Sequence, residues 1–189
     1  MRFPPTSGRA ALVGSWWAAM ATAVMVLGCL SGRSLAQEQE NQLKAAYLFN
    51  FSKFVEWPEG AASGKRPLTI CVAGNSYIAF SLTRLAWGKT VNGKEVKVSL
   101  VNSPESSGSC QMLFIARAAG KDEKALLERA QNAPVLTVGE EADFVAEGGI
   151  VKLVLEGSEI HFEVNQEAAA RAGLKVSSKL LALAVRSKN

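Results

Sequence analysis

The sequence has little with which to perform chemistry. Histidine occurs once in its 189 residues, at His161, and cysteine three times, at Cys29, Cys71 and Cys110. A zinc site built from imidazole and thiolate ligands needs more donors than these can supply. A Ser-His-acid hydrolase of the nucleophile-elbow type is excluded too, because no G-x-S-x-G occurs. Gly60 to Arg66 approaches a phosphate-binding loop, but has one residue too few between its glycines and Arg66 where Ser or Thr belongs. The acidic pairs Glu140 with Glu141, and Glu147 with Glu156, lack an apolar surround that would raise a pKa for acid-base work, so they read as solvated charges. No metal or cofactor is expected, and the residue chemistry favours a binding protein over an enzyme.

Negative charge is missing from the first 36 residues, which hold Arg2, Arg9 and Arg33. Without those three, 18 basic residues face 17 acidic ones, so the formal charge of +4 belongs mostly to the leader. A nearly neutral remainder has no electrostatic footprint for nucleic acid. Arg2 and Arg9 precede an apolar run from Ala10 to Leu30, and Ser34-Leu35-Ala36 follows. That is the layout of a secretory signal peptide over residues 1–36, cleaved after Ala36, with residues 37–189 forming one exported, periplasmic domain. Two alternatives stay open: retention of the run as an anchor, or lipidation at Cys29 through the imperfect lipobox Val26-Leu27-Gly28-Cys29. Each of the three exports the domain.

Export decides the reading of the cysteines. In an oxidising compartment the remaining pair, Cys71 and Cys110, is a disulfide by default. Such a bridge closes a loop of about 40 residues, worth roughly 4 kcal/mol in the chain-entropy view. Cys71 lies in Leu68-Thr69-Ile70-Cys71-Val72-Ala73, an almost continuously apolar stretch typical of a strand buried on both faces. Gly74 allows a tight exit, and Asn75 or Ser76 caps a helix from about Tyr77 to Trp87. Open α/β sheets hold ligands at such strand ends, which makes Gly74, Asn75 and Ser76 candidate ligand contacts.

Ahead of this strand, Leu43 to Trp57 has helical apolar periodicity, stopped by Pro58. Its five aromatics, Tyr47, Phe49, Phe51, Phe54 and Trp57, exceed one buried stripe, so Phe49 and Trp57 are candidate partner contacts. Asn92-Gly93 is a tight-turn dipeptide leading into a strand, Lys94 to Val101, with Val96, Val98 and Leu100 inward. Strands over Gln111 to Ala116 and Pro134 to Gly139 flank a charged helix, Lys121 to Asn132. Gly149 to Leu155 and Glu159 to Asn165 form a hairpin that turns Ile160, Phe162 and Val164 one way and His161, Glu163 and Asn165 the other. His161 and Glu163 are therefore further candidate partner contacts. Two short helices close the chain, over Gln166 to Ala172 and from Ser177 or Ser178 to about Arg186. The fold class is α/β: a single domain, a mixed β-sheet flanked by helices, with a C-terminal β-hairpin.

Three segments together resemble the YfiR family of exported bacterial proteins. They are Leu43-Lys44-Ala45-Ala46-Tyr47-Leu48-Phe49-Asn50-Phe51 with Lys53-Phe54-Val55-Glu56-Trp57-Pro58; Cys110 through Ala116; and Gly149 through Asn165 with Ala169 to Gly173 and Ser177-Ser178-Lys179-Leu180-Leu181. The resemblance implies a non-catalytic periplasmic regulator that inhibits a membrane diguanylate cyclase by binding its periplasmic sensor domain, lowering cyclic-di-GMP. It also implies a possible homodimer and sequestration by an OmpA-like outer-membrane lipoprotein. Cys71 and Cys110 match one cysteine pair of that family; a second pair has no counterpart here. The competing reading is a periplasmic small-ligand-binding adaptor for another membrane receptor or a sensor kinase.

Overall fold

The computed structural model describes residues 35–61, 66–131 and 133–185. The leader assigned to residues 1–36 therefore lies almost wholly outside the described residues. Residues from Glu40 onward make one compact unit. Helix α1 covers 35–51. The other elements are β1 (Val55–Glu56), β2 (Leu68–Ala73), α2 (Ser76–Ala86), β3 (Thr90–Val91), β4 (Lys94–Val101), β5 (Met112–Ile115), α3 (Asp122–Ala130), β6 (Leu136–Gly139), β7 (Val151–Glu156), β8 (Glu159–Val164), α4 (Gln166–Arg171), β9 (Lys175–Val176) and α5 (Ser178–Leu183).

Seven strands form the main sheet in the order β3-β4-β2-β5-β6-β7-β8. The inner five run parallel, and β3 and β8 pair antiparallel at the two edges. Among the parallel five, the first strand in the chain lies between the second and the third, the order of a doubly wound sheet. That places the crevice between the C-terminal ends of β2 and β5. Alternation along β2 sends Ile70 and Val72 to the face covered by α1 and α2, and Cys71 and Ala73 to the face covered by α3. Both faces are thus filled, which is why β2 reads as an unbroken apolar run. Cys71 and Cys110 are joined as the expected disulfide, with Cα atoms 5.7 Å apart, inside the α3-side core.

The turns follow their residue chemistry. Asn92 and Gly93 both have positive φ, 51° and 75°, as a two-residue hairpin between β3 and β4 requires. The C-terminal hairpin is present as β7 and β8, with Ile160 and Phe162 buried. Asn165 caps α4 by accepting from the Ala168 amide. Gly139 and Gly149 leave the space that the Phe144 ring occupies, since a Cβ on either would run into that ring.

Three expectations need correction. The first helix ends at residue 51 instead of reaching Trp57. The amides of Lys53 and Phe54 close a tight turn on the Asn50 and Phe51 carbonyls. The β-branched Val55 then pairs with Val176 in a two-stranded ribbon of β1 and β9. Leu100 is 45% exposed even though it shares a strand face with Val96 and Val98, because it lies at the open edge past the short β3. The last helix ends at Leu183, where the Val185 amide bonds to the Phe162 carbonyl.

Candidate functional site: a closed sheet end and an exposed aromatic face

The crevice between β2 and β5 is where a doubly wound sheet ordinarily binds, and here the chain fills it. Gly74 leaves β2 with φ +79°, and a Cβ there would strike the backbone of Ala118 and Ala119. Asn75 spends its side chain on structure. Its Oδ1 accepts from the amides of Tyr77 and Ile78 (3.0 and 3.1 Å), capping α2, and its Nδ2 donates to Asn41 Oδ1 (3.3 Å). Ser76 is the exposed first residue of α2. The structure therefore brings Gly74, Asn75 and Ser76 together at the strand end, with local folding roles for the first two.

A charged cluster covers the neighbouring strand ends. Lys44, 8% exposed, is ion-paired with both Glu40 and Glu140. Glu140 follows β6 and also accepts from the Arg117 amide (2.9 Å), while Arg117 Nε bonds to Glu141 (3.0 Å). Burial opposes the charge on Lys44, but its hydrogen bonds to Glu140 and Glu40 outweigh that, and its pKa is raised. A lysine held protonated in this way is a tether, whereas nucleophilic or basic catalysis needs the free amine.

The sequence-derived partner candidates divide between core and surface. Phe49 is 4% exposed, with Lys53 and Lys89 ammonium groups over its ring at 4.5 and 5.4 Å. Trp57 is half-buried, and its indole N–H donates to the Gln111 carbonyl (2.9 Å). The exposure expected of these two rings is thus corrected: lysine stems roof the first and the sheet margin holds the second. On the outer face of the C-terminal hairpin, His161 sits 3.8 Å from Glu156 and from Glu159, and Glu163 pairs with Lys152 across the strands at 3.0 Å. His161 and Glu163 share a face with each other but not with Phe49, which packs in the core cluster beneath α1.

The free aromatic surface lies on α2. Tyr77, Phe80 and Trp87 are 73%, 63% and 84% exposed, and the Arg84 guanidinium lies 5.8 Å from the Phe80 ring. The buried residues of the same helix are Ile78, Ala79, Leu82 and Ala86. The sequence carried this signal. At 100° per residue, Tyr77, Phe80, Arg84 and Trp87 fall on one stripe, and the apolar Ile78, Leu82 and Ala86 on another. A helix with one packing stripe to spare presents the second to solvent.

Two solved structures show partial likeness to the chain. One is a conserved domain protein from Vibrio cholerae O1 biovar eltor, 16% identical over 64% of this chain and 54% of that one, with a TM-score of 0.44. The other is an ABC domain in complex with L-Trp from Streptococcus pneumonia, 10% identical over 63% of this chain and 54% of that one, with a TM-score of 0.46. The chain thus spans about half the length of each. A family model described as YfiR/HmsC-like matches residues 41–185, from the second residue of the compact unit to the last described residue. This protein belongs to the YfiR/HmsC-like family.

Proposed function

We propose that this protein is a non-catalytic periplasmic inhibitor that binds the periplasmic sensor domain of a membrane diguanylate cyclase and lowers cyclic-di-GMP synthesis. The observation that carries the reading is the family match across residues 41–185, which supports a periplasmic regulator of diguanylate cyclase signalling. The structure adds physical support. The sheet-end crevice is filled by Ala118 and Ala119, Lys44 is tied up as a cation, and the Cys71–Cys110 bridge suits an oxidising compartment. In this reading the leader is removed after Ala36 and residues 37–189 are the active form. His161 and Glu163 offer a polar contact surface on the hairpin. A homodimer and capture by an OmpA-like lipoprotein are part of the same proposal.

The test is genetic and biochemical together. Deleting the gene should raise cellular cyclic-di-GMP, and the exported protein should co-purify with the full-length cyclase from solubilised membranes. Unchanged cyclic-di-GMP with no cyclase recovered would overturn the reading.

One observation favours the second reading, a small-ligand adaptor for another receptor or sensor kinase. A cleft of about 320 Å³ opens between the end of α3 and α4, lined in part by Gln131, Thr137, Glu147 and Arg171. It lies apart from Gly74, Asn75 and Ser76, none of which lines it. A ligand seated there should raise the melting temperature in a metabolite screen.

A further inference from the structure

We propose that α2 rests its outer face on an anionic lipid surface, with its aromatic rings in the headgroup region and its basic side chains against lipid phosphates. Tyr77, Phe80, Arg84 and Trp87 fall within an arc of roughly 80° and span about 15 Å of helix, the footprint of a rod lying flat. The three rings along this ridge are each more than 60% exposed. Leu100, on the sheet face that α2 covers, adds a further exposed apolar side chain. Tyr and Trp favour the membrane interface because one end of the ring is apolar and the other makes hydrogen bonds in water.

The charged side chains on α2 and just beyond it are basic. From Gly60 through Lys94 the sequence has no acidic residue, and Arg84 and Lys89 lie on or just beyond α2. Lys53 joins them from the end of α1. Both lysines ride on the Phe49 ring, so their ammonium groups are no more than about 10 Å apart. Glu95, opposite Thr90 on the β3–β4 hairpin, is a carboxylate near the end of the ridge, but the aromatic rings interleaved with Arg and Lys on α2 itself have the composition of an interfacial helix on anionic lipid. A second copy of the chain would bring a second set of the same cations to the contact, whereas anionic lipid brings the opposite charge. A membrane surface meets the whole ridge with negative charge and needs no preformed groove. The benefit to regulation rests on the function proposed above: a protein confined to the membrane plane meets a membrane cyclase at a higher effective concentration.

The test uses the exported protein and two vesicle preparations, phosphatidylcholine alone and phosphatidylcholine with phosphatidylglycerol. Co-sedimentation is expected only with the second, weakening as salt shortens the Debye length from about 10 Å at 0.1 M toward about 3 Å at 1 M. Trp87 emission should shift to the blue on binding, and Trp87→Phe should remove that shift. The pairs Phe80→Ser with Trp87→Ser, and Arg84→Glu with Lys89→Glu, should each reduce binding roughly tenfold. The melting temperature of the aromatic pair should hold, since neither ring is buried; the charge pair is compared at a temperature where it stays folded, because Lys89 also covers the Phe49 ring. Equal binding to both vesicles, or wild-type binding by either pair, overturns the proposal. So does loss of cyclase inhibition in the aromatic pair when the wild type binds no vesicles, which would assign the ridge to a protein partner. Vesicle binding by a protein that fails to inhibit any cyclase would instead remove the proposed function and leave the lipid contact standing.

Discussion

Phe51 and Phe162 pack edge to face with ring centroids 5.0 Å apart, joining α1, near the start of the folded unit, to β8 of the C-terminal hairpin. Tyr47 completes the cluster at 6.0 and 6.3 Å from the two rings, and its hydroxyl donates to the Ile160 carbonyl (3.0 Å). These contacts hold α1 against the edge strand β8. Phe162→Ala should therefore cost about 3–5 kcal/mol, lowering the melting temperature by about 10 °C. Hydrogen exchange should show the amides of α1 losing protection ahead of those of β2. A variant that melts like the wild type would mean that the ring cluster adds little to the core.

The Cys71–Cys110 bridge ties the middle of β2 to the residue that leads into β5, across a sequence separation of 39. Both half-cystines are at least 95% buried. Replacing both by serine should cost about 4 kcal/mol through the freed loop, with the proposed inhibition lost only as far as the fold is lost. Thermal melts of the variant, paired with binding at a temperature where it remains folded, check this. A folded variant that no longer inhibits would make the bridge part of the regulatory surface.

Lys44 and Glu140 are a buried ion pair, with side chains 10% and 11% exposed. Lys44→Met removes one partner and leaves a carboxylate in a poorly hydrated site, a loss of about 3–5 kcal/mol. Adding Glu140→Gln should restore most of that loss, so the double variant should melt well above the single one. The pH dependence follows from the raised pKa of Lys44. The folded state holds this proton more tightly than the unfolded chain, so the contribution is complete below the ordinary value of 10.5 and declines as pH rises past it. Alkaline melts in which the wild type and Lys44→Met lose stability in parallel would contradict the assignment.

Much of the fold was legible because local chemistry and tertiary structure agree. The unbroken apolar run of β2 predicted burial on both faces, Asn75 or Ser76 predicted a cap, and Asn92-Gly93 predicted a turn. What stayed illegible depends on distant partners. Val55 reads as the last turn of a helix until Val176 arrives to pair with it. Phe49 reads as one of five aromatics on an amphipathic stretch, and nothing local says that Lys53 and Lys89 will roof it. The order of β4, β2 and β5 is likewise set by crossovers. It places Gly74 against Ala118 and Ala119, closing the crevice that the strand end alone suggested was open.

Glu123, in the first turn of α3, carries the one buried side-chain oxygen without a hydrogen-bond partner among the described residues. Burial raises its pKa first, and the neighbouring carboxylates Glu141, Glu147 and Glu140 raise it further, with Arg117 opposing them. A carboxyl whose folded pKa lies above its unfolded value binds its proton more tightly when folded, so ionisation weakens the fold as pH rises through that interval. At neutral pH the ionised group is a net cost. Glu123→Gln should therefore stabilise the protein at pH 7, by less than about 1 kcal/mol because the group remains partly open to solvent and is screened. The gain should shrink as the pH falls below the ordinary carboxylate value of 4.5, where both states are protonated. Thermal melts of wild type and variant across that range check the sign. A variant less stable at pH 7 than at pH 4, relative to wild type, would show that the charge on Glu123 favours α3 through its position at the helix N-terminus more than burial opposes it.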